Sequence, residues 1–245
     1  PYVKIDAGGV TLITPRADVG QGAYSVQAHL IAEELDVDLA EVTLSPGMPA
    51  PAYFNGVVGA EAFPIAATSD TLLARMGRQG ADVVAKLMGL QITGGSSTVP
   101  DAFDKLRIAG AVACDTLISA AAQQSGQPRD QLRTESGAVV LPDGTRLAYT
   151  DLAATAARIE PVRDVQLRDP GQWKFIGKPH MRTDILAKST GTQEYGIDMV
   201  MEGMVHATTR TNPRIGGGMN SYDASRAEAM RGVQKVVPIT GGVGV

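Results

Sequence analysis

Helical periodicity alternates along the chain with short runs of alternating apolar and polar residues. Apolar residues at helical spacing predict five helices, over residues 22–35, 71–90, 100–126, 152–158 and 224–230. The first carries its apolar face at i, i+4, i+7 and i+11, which are Tyr24, Ala28, Ile31 and Leu35. Gly77 and Gly80 weaken the second pattern, because glycine disfavours a helix interior.

Short apolar runs bounded by turn residues predict β-strands between these helices. They predict a hairpin at Gly8-Gly9, a strand over 41–45, a three-stranded meander within 131–149, and later strands over 196–199, 204–209 and 233–239. The apolar but glycine-rich stretch 53–64 is predicted to be a loop. Together these elements predict the α+β fold class.

The pattern of residue types along the chain changes after Glu160. Residues 160–177 contain Pro161 and the turn Asp169-Pro170-Gly171, which predict an extended connection. We therefore predict an N-terminal domain over 1–160, a linker over 161–175 and a smaller domain over 176–245.

Composition narrows the classes of function. The 245 residues are 44% hydrophobic and 20% charged, which is ordinary for a soluble globular protein. A net charge of −4 argues against a nucleic-acid partner. Cys114, the only cysteine, is expected to be buried and inert. Pro1 cannot be a natural translation start, so we expect a lost N-terminal segment, which leaves room for a removed targeting sequence.

The first candidate site is the run from Asp18 to Tyr24. Gly20-Gln21-Gly22 lies where a strand gives way to a helix. Glycines there let the backbone approach a ligand, and free N–H groups at a helix start favour an anion. The Gln21 amide can donate and accept at once. A tight turn with a solvated Gln21 explains the same residues.

The second candidate site is the run Thr93-Gly94-Gly95-Ser96-Ser97-Thr98, which precedes Pro100. Pro100 fits the first turn of a helix, and Ser97 or Thr98 fits the cap before it. A glycine–hydroxyl turn at a helix start suits a phosphate. A capping motif alone also explains the pattern.

Other chemistry is sparse. His29, His180 and His206 are isolated in the sequence and are expected to be surface or hydrogen-bonded residues, with no metal site. Glu33-Glu34, beside Asp36 and Asp38, is expected to form a solvated acidic face. Spacing alone predicts no catalytic group.

Several passages resemble a known family, the molybdenum hydroxylases that include xanthine dehydrogenase and aldehyde oxidoreductase. Residues 19–24 with 30–38 resemble its GQG segment, and 93–98 with 106–111 resemble the next segment near the cofactor. Residues 175–207 resemble its a/b hammerhead domain. Because the hammerhead here follows the GQG segment, the order is similar to that in the branch of the isoquinoline 1-oxidoreductase β-subunits, which includes membrane-associated aldehyde dehydrogenases.

The resemblance implies part of a molybdopterin-binding domain over 1–160, followed by an a/b hammerhead-like domain over 176–245. It implies an N-terminal fragment of a subunit that hydroxylates N-heteroaromatics or oxidises aldehydes, with water as oxygen source and molybdopterin cytosine dinucleotide as the molybdenum cofactor. Gln21 would then hydrogen-bond an oxo ligand or the pterin. The cofactor-binding residues implied are Gly20, Gln21, Gly22, Ala23, Gly94, Gly95, Ser96, Ser97 and Thr98.

The resemblance also implies partners and a location. A 2Fe–2S small subunit would carry electrons away, because this chain lacks cysteine ligands, and a cytochrome c is a candidate acceptor beyond it. The substrate would be a small molecule. A periplasmic or membrane-associated location is implied for the full enzyme, with a cytoplasmic location as the alternative. The family's catalytic glutamate matches no residue here and is expected beyond Val245, so the isolated chain is expected to be inactive.

Two other interpretations stay open at this point. One is a non-catalytic scaffold or assembly protein with the same fold, and the other is a phosphate- or nucleotide-binding module that uses the two glycine turns. The chain departs mildly from the family pattern at Val19, where Met or Leu is common, and at Pro100, where a polar residue is expected.

Overall fold

The computed structural model describes residues 1–60, 66 and 68–245. These residues form two compact units, Pro1–Gly191 and Thr192–Val245. The predicted linker 161–175 therefore lies inside the first unit, and the units divide later than the predicted boundary. The assignment of 1–160 to a molybdopterin-binding domain and of 176–245 to a hammerhead-like domain stays a prediction.

Helices predicted from apolar spacing are present near their expected positions, except that the last is shorter. Among the residues described, no helix combines the length and apolar character needed to cross a bilayer. In chain order the helices are α1 (Ala23–Leu35), α2 (Gly56–Ala60), α3 (Leu72–Met88), α4 (Thr98–Ser125), α5 (Tyr149–Ala156), α6 (Ile185–Thr190) and α7 (Ser225–Glu228).

The loop predicted over 53–64 is wrong over Gly56–Ala60, which form α2. Residues 61–64 lie outside the described residues. The Asn55 side chain accepts a hydrogen bond from Val58 N–H at 3.2 Å, and Asp101 accepts one from Gly56 N–H at 2.8 Å. These two caps offset the weak helix propensity of glycine, and the second comes from a distant part of the chain.

The strands of the described residues form three small sheets. In the first, β1 (Val3–Asp6) and β2 (Gly9–Ile13) form the predicted hairpin, and β3 (Thr43–Ser45) lies parallel to β2. The second is the predicted meander of β4 (Arg133–Glu135), β5 (Ala138–Val140) and β6 (Arg146–Ala148). The third is antiparallel, with β9 (Gly242–Gly244) between β7 (Thr209–Thr211) and β8 (Val237–Ile239).

Helices α1 and α4 pack closely to form the centre of the first unit. A Cβ atom at Gly110 would lie 2.4 Å from the carbonyl oxygen of Ile31, so only glycine permits this approach. Cys114 lies in the same core, as predicted, and burial raises the pKa of its thiol. The contact holds the last turns of α1 against the middle of α4.

The second unit differs from its predicted strand pattern. Residues Gly196–Asp198 form a 3₁₀ turn, closed by a 2.9 Å hydrogen bond from Tyr195 N–H to the Asp198 carboxylate, so the strand predicted over 196–199 is wrong. The strand predicted over 204–209 is displaced, since β7 begins only at Thr209. Within this unit only Gly242 and Gly244 are buried, so it has no apolar core of its own.

The expected solvated acidic face on α1 is wrong at three of its four carboxylates. Glu33, Glu34 and Asp36 are buried, with at most 4% of each residue exposed. Residues 168–176 run across them and supply the polar partners that burial requires. Only Asp38 remains exposed, where its side chain caps a 3₁₀ turn.

Each buried carboxylate has its own donors. Glu33 accepts backbone N–H groups from Lys174, Phe175 and Ile176 at 2.8, 2.7 and 3.0 Å. Glu34 pairs with the Arg107 guanidinium at 2.6 Å. We call this arrangement the carboxylate anchor, because it holds the extended segment 168–176 against the last turns of α1.

Asp36 completes the carboxylate anchor at the end of α1. Its carboxylate accepts the Lys174 ammonium at 2.6 Å and the Thr134 hydroxyl at 2.8 Å, and Arg168 lies 3.2 Å away. Asp36 itself has a left-handed backbone, with φ of 60°, and its N–H closes the helix on the Ala32 carbonyl. The helix end, the meander and the crossing segment therefore meet at one residue.

The carboxylate anchor makes stability fall in acid. Burial favours the neutral form of Glu33 and Asp36, but the backbone N–H groups at Glu33 and the Lys174 and Thr134 donors at Asp36 outweigh it and hold both pKa values below their usual range. A lowered folded-state pKa stabilises the fold above the unfolded-state pKa and loses that effect as pH falls through the folded-state pKa. We expect the free energy of unfolding, measured in urea, to drop below about pH 4. A Glu33→Gln variant should show a flatter profile, and an equally steep one would contradict the assignment.

Candidate functional site

The loop between β2 and α1 is organised by an internal carboxylate. Asp18 accepts N–H groups from Gly20 at 2.7 Å, Tyr24 at 3.0 Å and Gly22 at 3.5 Å. Partial burial works against ionisation, yet these donors hold the pKa of Asp18 below its usual range. The chain therefore supplies its own carboxylate to the N–H groups of Gly22 and Tyr24 at the start of α1.

Gln21 lies exposed at the tip of this loop, between two glycines with left-handed backbones. Gly20 has φ of 107° and Gly22 has φ of 89°. The Gln21 side chain bonds to its own loop, since its oxygen accepts Val19 N–H at 2.7 Å and its nitrogen donates to the Ala17 carbonyl at 3.1 Å. To bind a ligand through this amide, Gln21 must exchange these two bonds for new ones.

The second glycine turn leads into α4. Gly95 and Ser96 both have left-handed backbones, with φ of 58° and 55°. Ser97 is fully buried, and its hydroxyl donates to the Gly94 carbonyl at 2.6 Å and accepts from the Asn55 amide at 2.8 Å. The Ser97 side chain therefore builds the turn, which leaves the hydroxyls of Ser96, an exposed residue, and Thr98, a buried one, unused by it.

The two predicted segments meet in one pocket of about 520 Å³. The Thr93 hydroxyl joins them by accepting Ala17 N–H at 3.0 Å. Six predicted residues line the pocket, namely Gln21, Gly22, Ala23, Gly94, Ser96 and Thr98. Val19, Val26, Thr93 and Val99 complete the lining. Gly20, Gly95 and Ser97 shape the two turns behind this surface.

Several donors in this pocket have no partner within the described part of the chain. They are the N–H groups of Gln21, Thr98 and Val99 and the hydroxyls of Ser96 and Thr98. A Cβ at Gly94 would meet nothing within 4 Å. Packing therefore does not require glycine at this position, whereas a ligand lying against the backbone would.

A buried ion pair that sequence analysis missed supports both segments. Arg16, directly after β2, donates to the Tyr53 and Phe54 carbonyls at 2.6 and 2.7 Å and pairs with Asp101 at 2.5 Å. Asp101 lies in the first turn of α4 and also accepts the Lys105 ammonium at 2.7 Å. The pair links the strand before the first segment to the helix after the second. No local pattern marks either residue.

A second cavity of about 340 Å³ adjoins the first and shares Gly22, Val26 and Val99 with it. It contains His29 and His180, whose rings lie 4.8 Å apart although the two residues are far apart in the sequence. His29 bonds to the Ser25 carbonyl at 2.7 Å, and burial lowers its pKa. His206 is exposed, as expected. Within the described ranges, no three His, Cys, Asp or Glu side chains group as metal ligands.

Comparison with known proteins supports the resemblance seen in the sequence. No family model matches the chain. Along its whole length, however, the chain is similar to oxidoreductase subunits from the branch of the isoquinoline 1-oxidoreductase β-subunits, which confirms that resemblance.

Three relatives make the similarity specific. The chain is 28% identical to the isoquinoline 1-oxidoreductase β subunit of Brevundimonas diminuta, over 100% of this chain and 32% of that protein. It is 28% identical to a nicotinate dehydrogenase subunit of Pseudomonas putida, over 98% of this chain and 18% of that protein. It is 25% identical to a membrane-bound aldehyde dehydrogenase (pyrroloquinoline-quinone) of Gluconacetobacter polyoxogenes, over 92% of this chain and 25% of that protein. The chain thus spans a third or less of each relative's length.

Proposed function

We propose that this chain forms part of the molybdenum-cofactor-binding surface of an oxidoreductase subunit that hydroxylates N-heteroaromatic rings or oxidises aldehydes with oxygen from water. The observation that carries the proposal is the pocket in which residues 18–24 and 93–99 meet. Isoquinoline and nicotinate, named in two relatives, are N-heteroaromatics, and the third relative is named for an aldehyde.

The residues present fit the organic part of molybdopterin cytosine dinucleotide. The free N–H groups at the start of α4 and the Ser96 and Thr98 hydroxyls suit phosphate oxygens. The valine side chains of the lining suit the edge of a ring system. When bound, the cofactor would supply the two-electron redox chemistry, and this chain would hold and orient it.

The role proposed for Gln21 is to exchange its two loop bonds for contacts with the cofactor. Its amide can donate to an oxo group or accept from the pterin, and Gln21 lines the pocket. The catalytic base is expected to come from another part of the protein. A 2Fe–2S subunit, with a cytochrome c beyond it, would accept the electrons, because Cys114 is buried and alone. We place the assembled enzyme in the periplasm or at a membrane.

The test is the composition of the whole protein purified from its natural source. We expect stoichiometric molybdenum by elemental analysis, a fluorescent pterin after oxidation, cytidine monophosphate after hydrolysis, and a small iron–sulfur subunit in the same complex. Release of a quinone without molybdenum would instead favour the cofactor in the aldehyde dehydrogenase relative's name. A protein with no redox cofactor would leave the scaffold or phosphate-binding interpretation.

A further inference from the structure

A short segment late in the first unit contacts the loop that carries Gln21. The Arg182 guanidinium donates to the Gly20 carbonyl at 2.7 Å and lies 3.5 Å from the Asp18 carboxylate. Next to it, Thr183 N–H donates to the Ser25 hydroxyl at 3.0 Å. The segment therefore binds both the loop and the first turn of α1.

Arg182 is held rigidly for this contact. Its Nε and Nη2 atoms form a two-bond fork with the Asp184 carboxylate, at 2.9 and 2.8 Å. Lys188, one helical turn later, adds a second cation to Asp184 at 2.5 Å. Arg182 and Lys188 hold the pKa of Asp184 far below its usual range, so the fork stays charged at neutral pH. The remaining Nη1 atom is the one directed at Gly20.

The Gly20 carbonyl belongs to the peptide bond whose N–H is that of Gln21. No peptide bond in the described chain is cis, so this C=O and N–H point in opposite directions. Rotation of this peptide plane changes ψ of Gly20 and φ of Gln21, and the glycine on its N-terminal side places little restraint on that rotation. Asp18 fixes N–H groups on both sides. Among the described residues, only Arg182 bonds to the Gly20 carbonyl.

We propose that Arg182 is a positioning residue, which fixes the plane of the Gly20–Gln21 peptide and thereby the direction of the Gln21 N–H. The physical reason is that a charged, fork-held donor is the only hydrogen-bond partner, among the described residues, of the carbonyl of Gly20, a residue whose backbone is flexible. The proposal rests on the proposed function only in naming the cofactor as the group that meets this N–H. The restraint itself does not depend on which ligand binds.

The test is amide hydrogen exchange in the whole protein, read on peptides that cover 17–24 and on peptides that cover 25–35. In the Arg182→Gln variant we expect the amides of 17–24 to exchange about tenfold faster, which is the effect of losing one charge-assisted hydrogen bond. The exchange rate of the amides of 25–35 should not change. Arg163→Gln is the matched control, since Arg163 is exposed and loses the same charge. Arg182→Lys should restore part of the protection, because an ammonium can donate to the Gly20 carbonyl but cannot form the fork.

Asp184→Asn provides a second variant, which leaves the guanidinium in place but removes its charged support, and should speed exchange in 17–24 by a smaller factor. Unchanged exchange in 17–24 in both variants would overturn the proposal. So would equal acceleration over 17–24 and 25–35, since that result shows general loosening. A protein without molybdenum would refute the proposed function, while the contrast between Arg182→Gln and Arg163→Gln would still decide the role of Arg182.

Discussion

Gly94→Ala is expected to lower the cofactor content of the whole protein about tenfold, the effect of about 1.4 kcal/mol of lost binding free energy. The added methyl group meets no protein atom within 4 Å, so it projects into the space that a ligand would occupy. The backbone of Gly94 does not have a left-handed φ, so alanine is not strained there. Molybdenum and pterin per protein, together with the unfolding temperature, measure the effect.

Gly171→Ala is the matched control for this change. Gly171 also lies in the first unit, has open space around its Cβ position and has no left-handed φ, but it is not part of the pocket lining. We expect this variant to keep its full cofactor content. If both variants hold as much cofactor as the natural protein, the Gly94 backbone does not contact the cofactor and the proposed site is wrong.

Glu33→Ala is expected to destabilise the first unit by roughly 3–5 kcal/mol, the cost of breaking a buried charged interaction. The change leaves three backbone N–H groups, those of Lys174, Phe175 and Ile176, without their acceptor. Urea unfolding measures the loss of free energy. Hydrogen exchange over 168–184 should rise with it, because the carboxylate anchor holds this segment.

Glu160→Ala is the control for Glu33→Ala, because Glu160 is exposed. Its effect should stay within about 0.5 kcal/mol, as for most surface substitutions. A Glu33→Ala variant as stable as the Glu160→Ala variant would show that the carboxylate anchor contributes little. In that case the pH dependence attributed to Glu33 must also be absent.

Helix positions could be predicted from the sequence because local spacing determines them. α1 and α4 follow apolar periodicities that need no distant partner. The acidic end of α1 could not be predicted in this way. Glu33 looks solvated unless the chain more than 130 residues later is known to cross it. Burial of a charge depends on where its donors come from, and local sequence does not report that.

The candidate site was predictable in part, because the sequence shows local turns but not contacts between distant parts of the chain. Glycines and hydroxyls marked the two turns, whereas their meeting in one pocket was implied only by the resemblance to a family. Asp18 lies four residues before the N-cap Gly22, so the usual N-cap pattern does not identify its role. Arg16 and Arg182 left no local signal either, since their partners lie 85 and 162 positions away.

The segment 168–184 contacts α1 near both ends of the helix. The carboxylate anchor holds it beside Asp36, and Thr183 holds it at Ser25 on the first turn. The 13 residues of α1 span about 20 Å, and both sets of contacts can form only if the helix keeps this length. One inserted residue would rotate the following residues of the helix by about 100°, so that only one of the two sets of contacts could form. A single-residue insertion or deletion in α1 would therefore break one of these two sets of contacts, and lineages of this protein should keep the helix at constant length.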